Sequence, residues 1–348
     1  MPASHSKSYS LLLPLLIGAT VLSMAVGLAK GSTPLPLMSV ILSLKAGLFS
    51  LPLDSGVAPN AFDIVWKLRL PRVLLAFFVG GGLSIVGVAM QTLVRNPLAE
   101  PYILGISSGA SAGASLFYLG FLPPVLSLAL TLPLAAFAGS LLTMLVVYLV
   151  ARTGTHVDVT RLLLAGVAMS ALMGAISTFA TLASPELEKM KTVMFWLLGS
   201  FAGARWDMLL LPLLASGLGL AFLLLFAKPL DAMLLGEEAA HHLGLPVERI
   251  KSLLIGMATL ITGLLVAAAG AIGFVGLIVP HATRSLVGVL HRKLALVAFF
   301  AGGIFLVWAD LFSRSILQPQ ELPIGIVTAI CGVPFFLYLL RNKPYRFG

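Results

Sequence analysis

Apolar stretches of near-spanning length follow one another along this chain, separated by short polar connections. The runs from Leu11 to Ala29, Val73 to Val94, Ile103 to Leu119, Val125 to Ala151, Leu162 to Ala183, Met208 to Ala227, Leu253 to Ala271, Leu294 to Phe312 and Leu322 to Leu340 each approach or exceed the length a spanning helix needs, roughly 20 apolar residues. The pattern predicts nine membrane-spanning helices, to within one, in a single all-α domain covering residues 1–348. Two segments do not fit it. Gly273 to Val289 is interrupted by Pro280, His281 and Arg284, and Thr192 to Gly203 is apolar but too short to span. The first run, preceded by Lys7 and ending in Gly27-Leu28-Ala29, looks superficially like a secretory leader. Its length exceeds the roughly 7–15-residue core of such leaders, so it reads as a first spanning helix.

Composition agrees with the pattern. Hydrophobic residues make up 59% and charged residues 10%, with a mean hydropathy of +1.05; a soluble domain carries about 25% charged residues. The net charge of +9 is spread over connections rather than massed in a patch, which argues for membrane orientation and against nucleic-acid binding. With the N-terminus inside, Arg95, Arg152, Arg161, Lys228, Arg249, Lys251, Arg284, Arg292, Lys293 and the tail residues Arg341, Lys343 and Arg346 also fall inside. Lys67, Arg69, Arg72, Lys189, Lys191, Arg205 and Arg314 remain outside, where orientation does not explain them. Cys331 is the only cysteine, so neither a disulfide framework nor a thiolate metal site is available.

The longest structured-looking connection is Leu234-Leu-Gly-Glu-Glu-Ala-Ala-His-His-Leu-Gly-Leu-Pro246. Glu237, Glu238, Ala239 and Ala240 favour a helix, Leu243 and Gly244 sit where it should end, and Pro246 follows, so a brief helix outside the membrane is expected within 231–248. His241 and His242 are adjacent and diverge by about 100° on a helix, a poor chelate.

The thirteen carboxylates fall in connections or close to helix ends, and the six histidines do likewise. A proton- or sodium-coupled carrier keeps ionisable groups at mid-membrane, and a channel for bare transition metals needs ligands along its path. Neither set is evident. No Gly-x-x-x-x-Gly-Lys-Ser/Thr loop occurs, so the chain has no phosphate loop for ATP. Gly105, Gly109 and Gly113 are spaced four apart, as are Gly199 and Gly203. That spacing suits close helix packing, or else a flexible, small-residue path. Gly105-Ile-Ser107-Ser-Gly109 matches a hydrolase elbow only formally, because no strand precedes it.

Seven motifs now occur in one order: Trp66-Lys-Leu-Arg-Leu-Pro-Arg72; Gln91 followed by Arg95-Asn-Pro-Leu-Ala-Glu-Pro101 and Ile103-Leu-Gly-Ile-Ser-Ser-Gly-Ala110; Arg161-Leu-Leu-Leu-Ala-Gly166; Phe195-Trp-Leu-Leu-Gly-Ser200; Gly236-Glu-Glu-Ala-Ala-His-His-Leu-Gly-Leu-Pro246; Gly270-Ala-Ile-Gly-Phe-Val-Gly-Leu-Ile-Val-Pro-His281; and Glu321-Leu-Pro-Ile-Gly325. From about residue 10 to the end, the chain resembles the FecCD-type permeases of ABC importers for iron-siderophores, haem and cobalamin.

The resemblance implies a type II ABC importer permease fold of about ten transmembrane helices. It also implies both termini cytoplasmic, a bacterial inner-membrane location, and a homodimer whose interface forms the translocation path. Gly273 to Val289 then holds a returning helix and Thr192 to Gly203 a short external one. The implied partners are a separate ABC ATPase, which binds ATP and Mg while this chain holds no cofactor, and a periplasmic or lipid-anchored substrate-binding protein. Arg69, Arg72 and Arg314 match external arginines that receive carboxylates of the binding protein, a task suited to the guanidinium fork. The alternatives from the residues alone are headgroup anchoring, or pairing of Arg314 with Asp310. Gly236 to Gly244 match a coupling helix seated in the ATPase. Gln91, Gly105, Ser107, Gly109 and Gly113 are expected to line the path or pack beside it. The expected cargo is an iron chelate, with haem or cobalamin as alternatives; an ion-coupled secondary transporter or a membrane hydrolase using Ser107 are the readings from other classes.

Overall fold

The computed structural model describes residues 3–31, 33, 35–52 and 59–342; the tail cations Lys343 and Arg346 lie outside them. Among the described residues the chain forms sixteen α-helices: α1 Ala3–Ala29, α2 Leu37–Phe49, α3 Pro59–Phe62, α4 Leu70–Val94, α5 Ile106–Tyr118, α6 Pro124–Ala129, α7 Leu132–Ala151, α8 Val159–Ala183, α9 Leu187–Leu197, α10 Leu210–Leu225, α11 Ala227–Met233, α12 Glu237–His242, α13 Val247–Ala269, α14 Val275–Val287, α15 His291–Ser313 and α16 Ile324–Asn342. A π-helical turn, Asp63–Arg69, joins α3 to α4, and a two-stranded hairpin, β1 Arg152–Thr153 with β2 His156–Val157, joins α7 to α8.

Eight helices among the described residues are long and apolar enough to cross a membrane. The helices α5 and α14, of 13 residues each, are shorter than the roughly 20 that hydrophobic thickness asks for. The expected span from Ile103 to Leu119 is thus divided: Pro101–Leu104 is a 3-10 turn, and Gly105 at φ +80° ends it before α5 begins. Val125 to Ala151 is also two helices, because Pro133 in the first turn of α7 has no N–H to donate to the Ala129 carbonyl and its ring crowds that group, and the break comes at Leu130-Thr131. The short helix expected over Thr192 to Gly203 lies earlier, over Leu187–Leu197. Gly199 and Gly203 consequently fall in the connection after it and are not a helix-packing pair. The apolar helix α2 was too short to register as a span.

The axis of the fold is α4. Nearly every residue from Pro71 to Leu93 is buried, and 89% of the span's most apolar window is enclosed. It packs against α15, α10, α13 and α14. The close approach to α15 depends on missing side chains: a Cβ on Gly80 would strike the Gly302 carbonyl, and one on Gly302 would strike the Gly80 carbonyl. By contrast only 17% of the corresponding window of α8 is enclosed, and α1 and α16 are also mostly uncovered. An apolar helix left so bare is covered by lipid or by another membrane-embedded surface.

Candidate functional site

The two ends of α4 carry different chemistry. Its 25 residues separate them by about 37 Å at 1.5 Å per residue.

At the N-terminal end, three arginines from different elements converge. Arg72 on α4 is 9% exposed, Arg69 in the π turn 5%, and Arg314 after α15 5%. Arg72 Nε donates to both oxygens of Asp310 at 2.9 and 3.1 Å, while its Nη1 and Nη2 donate to Glu321 Oε1 and Oε2 at 2.9 Å each. Asp310 also faces Arg314 Nε at 3.4 Å. The C-terminal carbonyls of α1 and its following turn supply the remaining acceptors: Leu28 and Ala29 for Arg69 Nη1 at 2.7 and 3.1 Å, Thr33 for Arg69 Nη2, and Gly27 for Arg314 Nη2 at 2.5 Å. These carbonyls are the negative end of a helix dipole, which suits cations. Burial lowers the pKa of Arg314, with Asp310 opposing and Arg72 reinforcing the change.

The structure therefore brings the three arginines together, but sequestered. In the single chain Arg72 grips the carboxylates Asp310 and Glu321, and Arg69 and Arg314 hold backbone carbonyls at the C-terminal end of α1. The pairing of Arg314 with Asp310, weighed as an alternative, is present. More accessible cations lie at the same end. Lys67 and Arg205 have side chains 63% and 70% exposed and are paired locally with Asp63 and Asp207. Their segments are joined by Trp206 Nε1, which donates to the Trp66 carbonyl at 2.9 Å, and by the two indoles at 5.0 Å.

At the opposite end, the expected brief helix is α12. Gly236 precedes it at φ +111° and Gly244 follows at φ +79°. Its end is a Schellman closure: Leu245 N–H donates to Ala240 O at 3.2 Å and Gly244 N–H to His241 O at 2.9 Å. Glu237 turns inward to Lys251 Nζ at 2.6 Å and faces Arg95 at 4.0 Å. Ala240 is fully buried against the chain itself and Ala239 is half-buried. Ala240 thus lies outside the exposed face of α12, which consists of Glu238, His241 and His242, flanked by Leu235 at 72% and Leu243 at 64% exposure. Behind α12, Asp231 of α11 accepts from His291 N–H at 2.8 Å and meets its Nδ1 at 2.6 Å, and the His291 Nε2 lies 2.7 Å from Thr92 Oγ1 on α4.

The residues expected near a path are packing residues within one chain. A Cβ on Gly109 would strike Thr143 and the Gly139 carbonyl, and one on Gly113 the Ala135 carbonyl, so both close the α5–α7 seam. Gly105 starts α5 beside Gly166 of α8. Ser107 is 8% exposed on α5. Gln91 is enclosed between α4 and α14, donating to Leu277 O at 3.4 Å. The connection after α4 is tied to the Gly270–Phe274 loop, since Glu100 Oε1 accepts from Phe274 N–H at 2.5 Å and the Tyr102 hydroxyl donates to Ile272 O at 2.8 Å. Asp310, Glu321, Lys251 and Leu235 were not singled out from the sequence as site residues. A lysine in the first turns of an apolar helix, three residues after Glu248, is the available signal for one of them.

Residues 15–342 match the model of the FecCD transport family. The chain is 41% identical to the cobalamin import system permease protein BtuC of Halobacterium salinarum over 343 residues, covering 97% of this chain and 87% of the relative. It is 39% identical to the hemin transport system permease protein HmuU of Yersinia pestis over 325 residues, covering 90% and 96%. In structure it is similar to an inward-facing ABC transporter described as of the metal-chelate type, with TM-score 0.81, 30% identity, and coverage of 95% of this chain and 99% of the other.

Proposed function

The chain belongs to the FecCD transport family, and from that premise we propose that it carries a metal-chelating tetrapyrrole of the cobalamin type across a bacterial or archaeal cytoplasmic membrane. It is an ABC-importer permease, a multi-pass transport subunit and not an enzyme. Family membership implies an ATPase and a substrate-binding protein as partners; ATP and Mg then belong to the ATPase.

The observation that carries the cargo assignment is the likeness to two permeases, at 41% and 39% identity, that are named for cobalamin and hemin. A ferric siderophore is the first expectation from sequence; these two relatives are not named for one. In the proposed arrangement the α12 end faces the cytoplasm, because Arg95, Arg152, Arg161, Lys228, Arg249 and Arg292 lie in connections or helix ends on that side. The ATPase sits on the exposed face of α12. The binding protein docks at the arginine end, meeting Lys67 and Arg205 first, while Arg69, Arg72 and Arg314 supply positive potential from beneath. Two copies of the chain line the path with α8 and α16, whose apolar surfaces are bare in the single chain. The burial of Gln91, Gly105, Ser107, Gly109 and Gly113 supports a path along an outer face rather than through one bundle.

The test is made with the permease, its ATPase and its binding protein, reconstituted in nanodiscs. Cyanocobalamin, haemin and a ferric hydroxamate are each titrated onto the binding protein, and ATP hydrolysis is followed. Stimulation by cyanocobalamin alone, or far below the concentration that haemin needs, is expected. Stimulation by the ferric hydroxamate alone would return the cargo to iron chelates.

A further inference from the structure

Lys251 is a charged group with a side chain 4% exposed in a chain with few buried charges. An ammonium is a compact point charge with three donors, and here all three directions are used. Nζ lies 2.6 Å from Glu237 Oε2 on α12, 3.0 Å from Glu248 Oε1 on its own helix α13, and 3.5 Å from the Val157 carbonyl on β2. Glu248 Oε2 accepts from Val157 N–H at 2.8 Å, so both backbone groups of Val157 are held by the Lys251–Glu248 pair. The other charged or titratable groups facing this cluster are Arg95, 4.0 Å from Glu237, and His156, 3.6 Å from Glu248.

Val157 leads straight into α8. Asp158 caps that helix by accepting from Arg161 N–H at 3.0 Å, and Arg161 Nη1 reaches back to Thr153 Oγ1 on β1 at 2.9 Å. Hairpin and first turn of α8 are therefore one hydrogen-bonded unit. The base of the cluster, α13, is well embedded, with 67% of its most apolar stretch enclosed, whereas 17% of that of α8 is, its packing being mainly against α5, α7 and the turn before α5.

We propose that Lys251 is a positioning residue that links α12 to the start of α8, so that displacement of the coupling helix by the ATPase is passed through β2 to the path-lining helix. The inference rests on the reading of α12 as the ATPase seat. Because one ammonium is shared between α12 and β2, a shift of Glu237 redistributes its hydrogen bonds, and the hairpin follows. Coupling carried this way needs two arrangements of the cluster that both sites bias.

The test uses the complete complex in nanodiscs, with Cys331→Ser as background and one spin label at a time, at Thr160→Cys on α8 or His242→Cys on α12, both exposed positions; because His242 lies on the proposed seat, its labelled form is used once ATPase co-purification and turnover match the unlabelled chain. Distances between the two copies are measured with and without ATP and vanadate. In the otherwise native chain both labels shift. In Lys251→Met, and in the milder Glu237→Gln should the first fail to assemble, the shift at 242 persists while the shift at 160 is lost, and cargo moved per ATP falls about tenfold. A structural role alone would lower yield without separating the two labels. A retained shift at 160 with full cargo per ATP in both variants overturns the link. Absence of any shift at 242 in the native chain overturns the seat itself, and the link with it.

Discussion

Asp310→Ala is expected to destabilise the permease by about 3–5 kcal/mol, the cost of leaving buried charge without its partner. The side chain is 1% exposed and serves two guanidiniums, at 2.8 Å for Arg72 and 3.4 Å for Arg314. Its removal leaves Arg314 with only the α1 carbonyl end and Arg72 with only Glu321. Glu321→Gln touches the same Arg72 but at a side chain 40% exposed, where water replaces the lost charge, so about 0–1 kcal/mol is expected. Asp310→Asn should fall between them. Midpoints from SDS titration of the purified variants measure the order. Equal losses for Asp310→Ala and Glu321→Gln would contradict the assignment of the cluster as a buried clamp joining α1, α4 and α15.

Leu243→Glu or Leu235→Glu is expected to weaken ATPase association by about thirtyfold, equivalent to about 2 kcal/mol for a central apolar contact. Both side chains are largely exposed beside α12, so the SDS midpoint of the permease should not move. Ala240→Arg should do the opposite, lowering the midpoint outright, because Ala240 is fully enclosed. Co-purification yield of the ATPase, measured beside the midpoint, separates the two. An unchanged yield in both leucine variants would remove α12 as the seat.

Much of this was legible in sequence for local reasons. Gly236 and Gly244 delimit α12 because a positive φ at each end leaves few alternatives to glycine, and the long spans follow from apolar length alone. What was not legible depends on distant partners or on fine geometry. Arg72 meets Asp310 and Glu321 across separations of 238 and 249 residues, which no local pattern encodes, so the same arginines read as outward-facing. A six-residue helix has too few turns for periodicity to reveal that Ala240 points inward while Leu243 points out. Apolar length also conceals breaks: Gly105 divides one expected span and the Thr131-Leu132-Pro133 step another. The exposure of α8, on which the proposed path depends, is a property of the assembled fold and leaves no mark in hydropathy.

The central claim is that this chain moves cargo only when a separate ATPase supplies the energy at the α12 face. Uptake into proteoliposomes tests it most directly, with the permease alone under a proton or sodium gradient compared with the full complex given ATP on the ATPase side. No gradient-driven uptake by the permease is expected; uptake by the complex should need ATP, persist with a protonophore, and be lost when the ATPase's catalytic carboxylate is replaced. Gradient-driven uptake by the permease alone would contradict it.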